Sequence, residues 1–215
     1  MSELAVCGGS VLRELDVSLH GVLYLQRHGT GSYVLPNRID HLANMRSLAE
    51  AGCEQVLAIG SVGGLRAELG PGTIVCPDDF IALDAGPTAF GDERAHSLPG
   101  FDADWRGRLI GAWRDRIGHE IVDGGVYWQT RGPRLETRAE IRLLAAHADL
   151  VGMTIASECI AASDLGLAYA AICVVDNLAN GVGESELTTD ELLAGRARNR
   201  EAMAERLQEL VSALA

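Results

Sequence analysis

Positive charge is scarce in this chain of 215 residues: 18 Lys and Arg stand against 30 Asp and Glu, a formal net charge of −12. That balance argues against nonspecific nucleic-acid binding, which needs a basic surface to displace counterions. It also means that any anionic substrate must be held by a local cluster of donors against the overall field. Aromatics make up only 5%, so the core has to be built from Ala, Val, Leu and Ile. No run approaches the roughly 18 apolar residues of a membrane helix, and the N-terminus lacks the basic-then-apolar layout of a signal peptide. The expectation is a cytoplasmic protein that meets no membrane. The five cysteines (Cys7, Cys53, Cys76, Cys159 and Cys173) are odd in number, widely spaced, and form no Cys-x-x-Cys pair. Most sit in apolar runs, as buried reduced thiols do. The six histidines show no metal spacing. No P-loop and no Gly-x-Gly-x-x-Gly is present. Gly60-Ser61-Val62-Gly63 falls short of a nucleophile elbow because Ile59 stands where glycine is required.

Short apolar segments alternate with helical patterns along the whole length. Strands are expected at Leu4–Cys7, Gly21–Gln26, Gln55–Ile59, Thr73–Cys76, Phe80–Leu83, Gly125–Thr130, Asp149–Met153 and Leu167–Val175. Helices are expected near His41–Glu50, Asp102–Arg116, Ala139–Ala146, after Thr154, and over Thr189–Leu214. The segment Asp84–Gly100 is rich in Gly, Pro and charge and reads as a long surface loop. There is no linker, repeat or low-complexity segment. This pattern predicts one α/β domain over residues 1–215 with a mixed, largely parallel sheet flanked by helices.

In such sheets ligands bind at the carboxyl ends of the strands, and polar residues collect there. Gly8-Gly9-Ser10 offers backbone N–H groups and a hydroxyl to an anion, or is simply a tight turn. Arg27 and His28 offer a planar fork and a switchable donor, or a solvated surface pair. The turn at Gly132-Pro133 delivers Glu136, a carboxylate suited to accepting from ring N–H groups. A glutamate early in a helix also serves as a dipole-stabilising group. Asp176 and Asn177 close the most continuous apolar strand.

Taken together and in this order, these motifs resemble the trimeric purine nucleoside phosphorylases. The motifs are Gly8-Gly9-Ser10, Arg27-His28-Gly29, Pro36…Ala43-Asn44, Val62-Gly63-Gly64, Gly132-Pro133-Arg134-Leu135-Glu136-Thr137-x-Ala139-Glu140, Val151-Gly152-Met153-Thr154 and Tyr169-Ala170. The chain is most similar to the methylthioadenosine and methylthioinosine phosphorylase branch. The resemblance covers nearly the full length and is strongest from Gly125 to Asn177. It implies phosphorolysis: inorganic phosphate, a co-substrate, attacks the anomeric carbon of a purine nucleoside and releases free base and sugar 1-phosphate. No metal or organic cofactor is implied.

Carried over residue by residue, the resemblance places phosphate among Ser10, Arg27, His28, Ser61 and Thr154. It puts Met153 against the ribose, Leu135 against the base, and Glu136 at the base N1–H. Asn177 falls where the family reads the purine. Asn there goes with 6-oxopurines and Asp with 6-aminopurines. Asn177 and Glu136 are thus the candidate catalytic pair, with a 5′-modified ribose among the candidate substrates. The resemblance also implies a homotrimer in which the loop Asp84–His96 enters the neighbouring pocket through Phe90 or His96.

The departures from the family are specific. The Gly9–Val22 connection is short, Ser10 replaces a common Thr, and Ser157 replaces the usual Pro. Asp176 adds a carboxylate beside Asn177, and no pocket for a 5′ group is evident in Leu187–Leu193. The competing readings are a methylthioadenosine phosphorylase with Asp176 on the base, and a catalytically weakened nucleoside-binding homologue.

Overall fold

The computed structural model describes residues 3–13, 19, 21–84, 86–183 and 187–214, so residues 14–18 and 20 of the short Gly9–Val22 connection lie outside the described residues. The central element is β9 (Ala168–Leu178), buried on both faces as parallel central strands are. Its side chains alternate strictly. Tyr169, Ala171, Cys173 and Val175 face one apolar cluster, and Ala170, Ile172 and Val174 face the other. The first cluster is covered by α1 (His41–Glu50) and α4 (Ile155–Asp164), through Met45, Leu48, Ala156 and Cys159. The second is covered by α2 (Ala103–Arg116) and α5 (Thr189–Leu214). The few aromatics are used here: Trp105 and Trp113 of α2 are fully buried beside Met203, Leu207 and Leu210 of α5.

The remaining strands are β1 (Leu4–Gly8), β2 (Leu23–Gln26), β3 (Gln55–Gly64), β4 (Ile74–Cys76), β5 (Asp79–Ile81), β6 (Val122–Asp123), β7 (Val126–Gln129) and β8 (Leu150–Gly152). One sheet runs β5-β7-β8-β3-β9-β4-β6, and β1 branches from β3 to carry β2. Among the described residues only the β3–β8 and β4–β9 pairings are antiparallel. The mixed, largely parallel sheet expected from the sequence is therefore what the chain builds.

Three details depart from expectation. The strand expected to end at Ile59 runs on to Gly64, because Gly63 and Gly64 pair with both β8 and β9, with a register shift at Val62/Gly63. Asp176 and Asn177 lie inside β9 rather than beyond its end. The two-residue strand β6 carries too little apolar pattern to be read from sequence. Among the described residues no helix is long and apolar enough to cross a membrane.

Candidate active site

Strands β2, β1, β3 and β9 run parallel, so their carboxyl ends coincide at one edge. There they gather Arg27-His28, Ser10, Ser61 and Asn177. Strand β8 runs against the end of β3 and turns into α4, which brings Met153 and Thr154 back to the same edge. One cavity is lined by Ser10, Arg27, His28, Ser61, Leu135, Glu136, Met153, Thr154 and Asn177. The nine residues to which the resemblance assigns phosphate, ribose or base thus reach a single cleft, from sequence positions 167 residues apart at the extremes, while Phe90 and His96 do not line it.

Glu136 is not the cap of α3 (Arg138–Ala145). That task falls to Thr137, whose hydroxyl accepts from the Glu140 N–H while the Glu140 carboxylate accepts from the Thr137 N–H. The Glu136 carboxylate instead accepts a 2.6 Å bond from Thr130 Oγ, and the Asn180 amide donates to the Glu136 carbonyl at 3.2 Å. Both contacts hold the Gly-Pro turn so that the acid faces the cleft.

Arg27 is buried, and its fork does not point freely at the cleft. Nε and Nη2 donate to the two Glu158 oxygens at 2.6 and 2.8 Å, Nη1 donates to the Ile59 carbonyl, and Nη2 also reaches the Cys7 carbonyl. Four of its five N–H groups are engaged inside the protein. Glu158 is fully buried and also accepts from the Tyr169 hydroxyl at 2.8 Å and the Cys7 thiol at 3.3 Å. Burial alone would raise its pKa, but the Arg27 charge and fork hold it below the usual carboxylate value. Sequence reading missed Glu158 as the partner of Arg27. Its signal was a lone acid in the apolar run Ile155-Ala-Ser-Glu-Cys-Ile-Ala-Ala162, where a buried charge needs a counterion. Gly9 is required beside this pair, since a Cβ there would press on the Ile59 carbonyl and on Arg27.

His28 stacks on Tyr33 with ring centroids 4.8 Å apart. Its Nδ1–H donates to the Val34 carbonyl at 2.9 Å. Burial, with the nearby charges of Arg27 and Arg196, lowers its pKa to about 4. The ring is therefore neutral near pH 7, and Nε2 is an acceptor rather than the switchable donor expected from sequence. The Ser61 hydroxyl donates to the Asp176 carboxylate in a short bond.

Asp176 is fully buried, takes a second bond of 2.7 Å from the Asn199 amide of α5, and does not line this cleft. Asn177 does line it, with its amide donating to the Leu178 carbonyl at 2.8 Å. Tyr33, Pro36, Leu187, Leu192 and Arg196 complete the wall. None of these five was singled out as a site residue in the sequence; the two leucines fall in the Leu187–Leu193 stretch where no pocket was evident.

Residues 17–212 match the family model of the phosphorylase superfamily. The chain is 40% identical over 178 residues to a probable 6-oxopurine nucleoside phosphorylase of Archaeoglobus fulgidus, covering 83% of this chain and 73% of that one. It is 37% identical over 205 residues to a probable S-methyl-5′-thioinosine phosphorylase of Xanthomonas campestris pv. campestris, covering 91% and 80%. A solved methylthioadenosine phosphorylase of Schistosoma mansoni superposes with a TM-score of 0.85 at 23% identity, over 100% of this chain and 92% of that one, a likeness of fold. The chain belongs to the phosphorylase superfamily.

Proposed function

We propose that this protein is an enzyme that cleaves a purine nucleoside by phosphorolysis, with 6-oxopurines favoured, to free base and ribose 1-phosphate. The observation that carries the reading is one cleft in which an acid and an amide, Glu136 and Asn177, share the wall with hydroxyl and histidine groups suited to an oxyanion. A phosphate oxygen forms its bond to the anomeric carbon as the bond to the purine N9 breaks, and the electron pair leaves with the base. Glu136 accepts from the base N1–H, and Asn177 donates toward N7 while tolerating O6. Ser10 and Thr154 supply hydroxyls to phosphate. The Nε2 lone pair of neutral His28 accepts from a P–OH group. Positioning and electrostatic preorganisation supply the rate, so the reading needs no metal or organic cofactor. Leu187 and Leu192, beside Tyr33 and Pro36, support an apolar 5′ substituent.

The same reading includes a homotrimer in the cytoplasm. In it the loop Asp84–His96 enters the neighbouring pocket, from a base held where Thr88 Oγ, Ala89 N–H and the adjoining Ser97 Oγ donate to Asp164 at 2.9 Å. Five buried free thiols fit a reducing compartment.

The experiment is base release from inosine, guanosine, adenosine and methylthioadenosine, each with and without phosphate. Phosphate-dependent release, fastest from a 6-oxopurine substrate, is expected. Equal rates without phosphate mean a hydrolase and end this reading, and no release from any of the four supports a nucleoside-binding homologue. A monomer in light scattering at micromolar protein contradicts the trimer.

A further inference from the structure

The cleft contains a second arginine that the catalytic reading does not use. We infer that Arg196, on α5, supplies the cationic contact to the anion bound in this cleft, which, on the proposed phosphorolysis, is the phosphate co-substrate. All 18 cationic residues of the chain are arginines, so any full positive charge offered by a side chain near pH 7 is a guanidinium. Of the two arginines lining the cleft, Arg27 is neutralised by Glu158 and has most of its donors turned inward. Arg196 is differently placed. Its Nε is buried without a hydrogen-bond partner, and the nearest carboxylate oxygen, Asp176 Oδ2, stands 4.0 Å away, beyond hydrogen-bond length. Asp176 is already satisfied by Ser61 and Asn199, so it orients the guanidinium without capturing it.

The position on the cleft is set by packing. Gly195 lies so close to the Asp176 backbone that a Cβ there would collide with the Asp176 carbonyl, which clamps this turn of α5 onto β9 at the level of Ser61. Asp176, the carboxylate beside Arg196, also holds the Ser61 hydroxyl, so Arg196 stands on the side of the cleft where Ser61 lies. In a protein of net charge −12, a dianion entering beside neutral His28 and the internally paired Arg27 meets Arg196 as its uncommitted cation.

The test uses the full chain and compares wild type, Arg196→Gln, Arg196→Lys and, as a control for charge lost from the same helix, the exposed Arg198→Gln. Steady-state kinetics are read against phosphate and against nucleoside, with phosphate binding alone followed by calorimetry. Arg196→Gln should raise the phosphate KM and Kd about ten- to hundred-fold, the loss expected for one charge-assisted contact. The nucleoside KM should move little. Arg196→Lys should recover part of the phosphate affinity, and Arg198→Gln should leave both constants near wild type.

A phosphate KM and Kd within twofold of wild type in Arg196→Gln overturns the inference. So does a rise confined to the nucleoside KM, which would put Arg196 on the sugar. Wild type that binds phosphate in the calorimeter but releases base without it ends the phosphorolysis reading alone, and the Arg196 variants are then judged by Kd. Wild type that binds no phosphate ends both.

Discussion

Replacing Glu158 by Gln keeps the shape of the side chain and removes one charge from a fully enclosed site. In the native protein that carboxylate accepts from Arg27 Nε at 2.6 Å, Arg27 Nη2 at 2.8 Å, the Tyr169 hydroxyl at 2.8 Å and the Cys7 thiol at 3.3 Å, with both charged side chains essentially inaccessible to water. The amide can accept at one position only. At the other its NH2 faces donors, either Arg27 Nε and Cys7 or Arg27 Nη2 and Tyr169. The guanidinium is left buried without a counterion, a change that costs about 3–5 kcal/mol. Set against the roughly 5–15 kcal/mol of a typical domain, that is a loss of about a fifth or more. Urea unfolding followed by the fluorescence of the buried Trp105 and Trp113 should show a lower midpoint with an unchanged slope. The double variant Glu158→Gln, Arg27→Met removes both charges and should recover a large part of the loss, because the penalty lies in the orphaned cation rather than in a missing attraction. A loss below about 1 kcal/mol in Glu158→Gln, or a double variant no better than the single one, would refute the reasoning.

His28 gives a pH prediction. Its folded pKa of about 4 lies below the unfolded value of 6.5, so the unfolded chain binds the extra proton and stability falls as pH drops from about 6.5 to 4. The effect is on the order of 3 kcal/mol, and His28→Gln should flatten that part of the stability profile. For the base, Asn177→Asp should shift the kcat/KM ratio of inosine to adenosine toward adenosine by about five- to 150-fold, since a mismatched buried group costs about 1–3 kcal/mol. An unchanged ratio removes Asn177 from base reading.

What the sequence made legible followed from backbone rules. Alternating strands and helices gave the mixed sheet, and the polar residues after each strand gathered at one edge because β2, β1, β3 and β9 run parallel. Illegible were the partners that side chains choose across the fold. Arg27 read as a fork for an external anion because nothing local shows that Glu158, 131 residues on, occupies it. His28 read as a donor because the Val34 carbonyl that fixes its tautomer lies in a loop. Arg196 and Leu192 reach the cleft from a helix whose exposed face is as polar as any solvated one. The strand β3 reads as ending at Ile59, five residues early, because a glycine-rich stretch looks like a breaker until the strands on either side are known.

The choice between Asp176 and Asn177 shows how small that missing information is. Neighbouring residues of a regular strand point to opposite faces, and β9 adds one extra residue here, Asp176, between the Val62–Val175 and Gly63–Asn177 pairs. Even-numbered residues of β9 from Ala170 to Val174 pack toward α2 and α5, and Asp176 continues that series by meeting Asn199 and Arg196 of α5. Odd-numbered residues from Tyr169 to Val175 face the side of α1 and α4; past the register shift Asn177 pairs with Gly63 and lines the cleft. On β3 the same parity sends Leu57 and Ile59 toward α5, and Ser61 follows them to meet Asp176. The extra residue at the register shift thus marks the point where the carboxylate turns to α5 and the amide to the cleft.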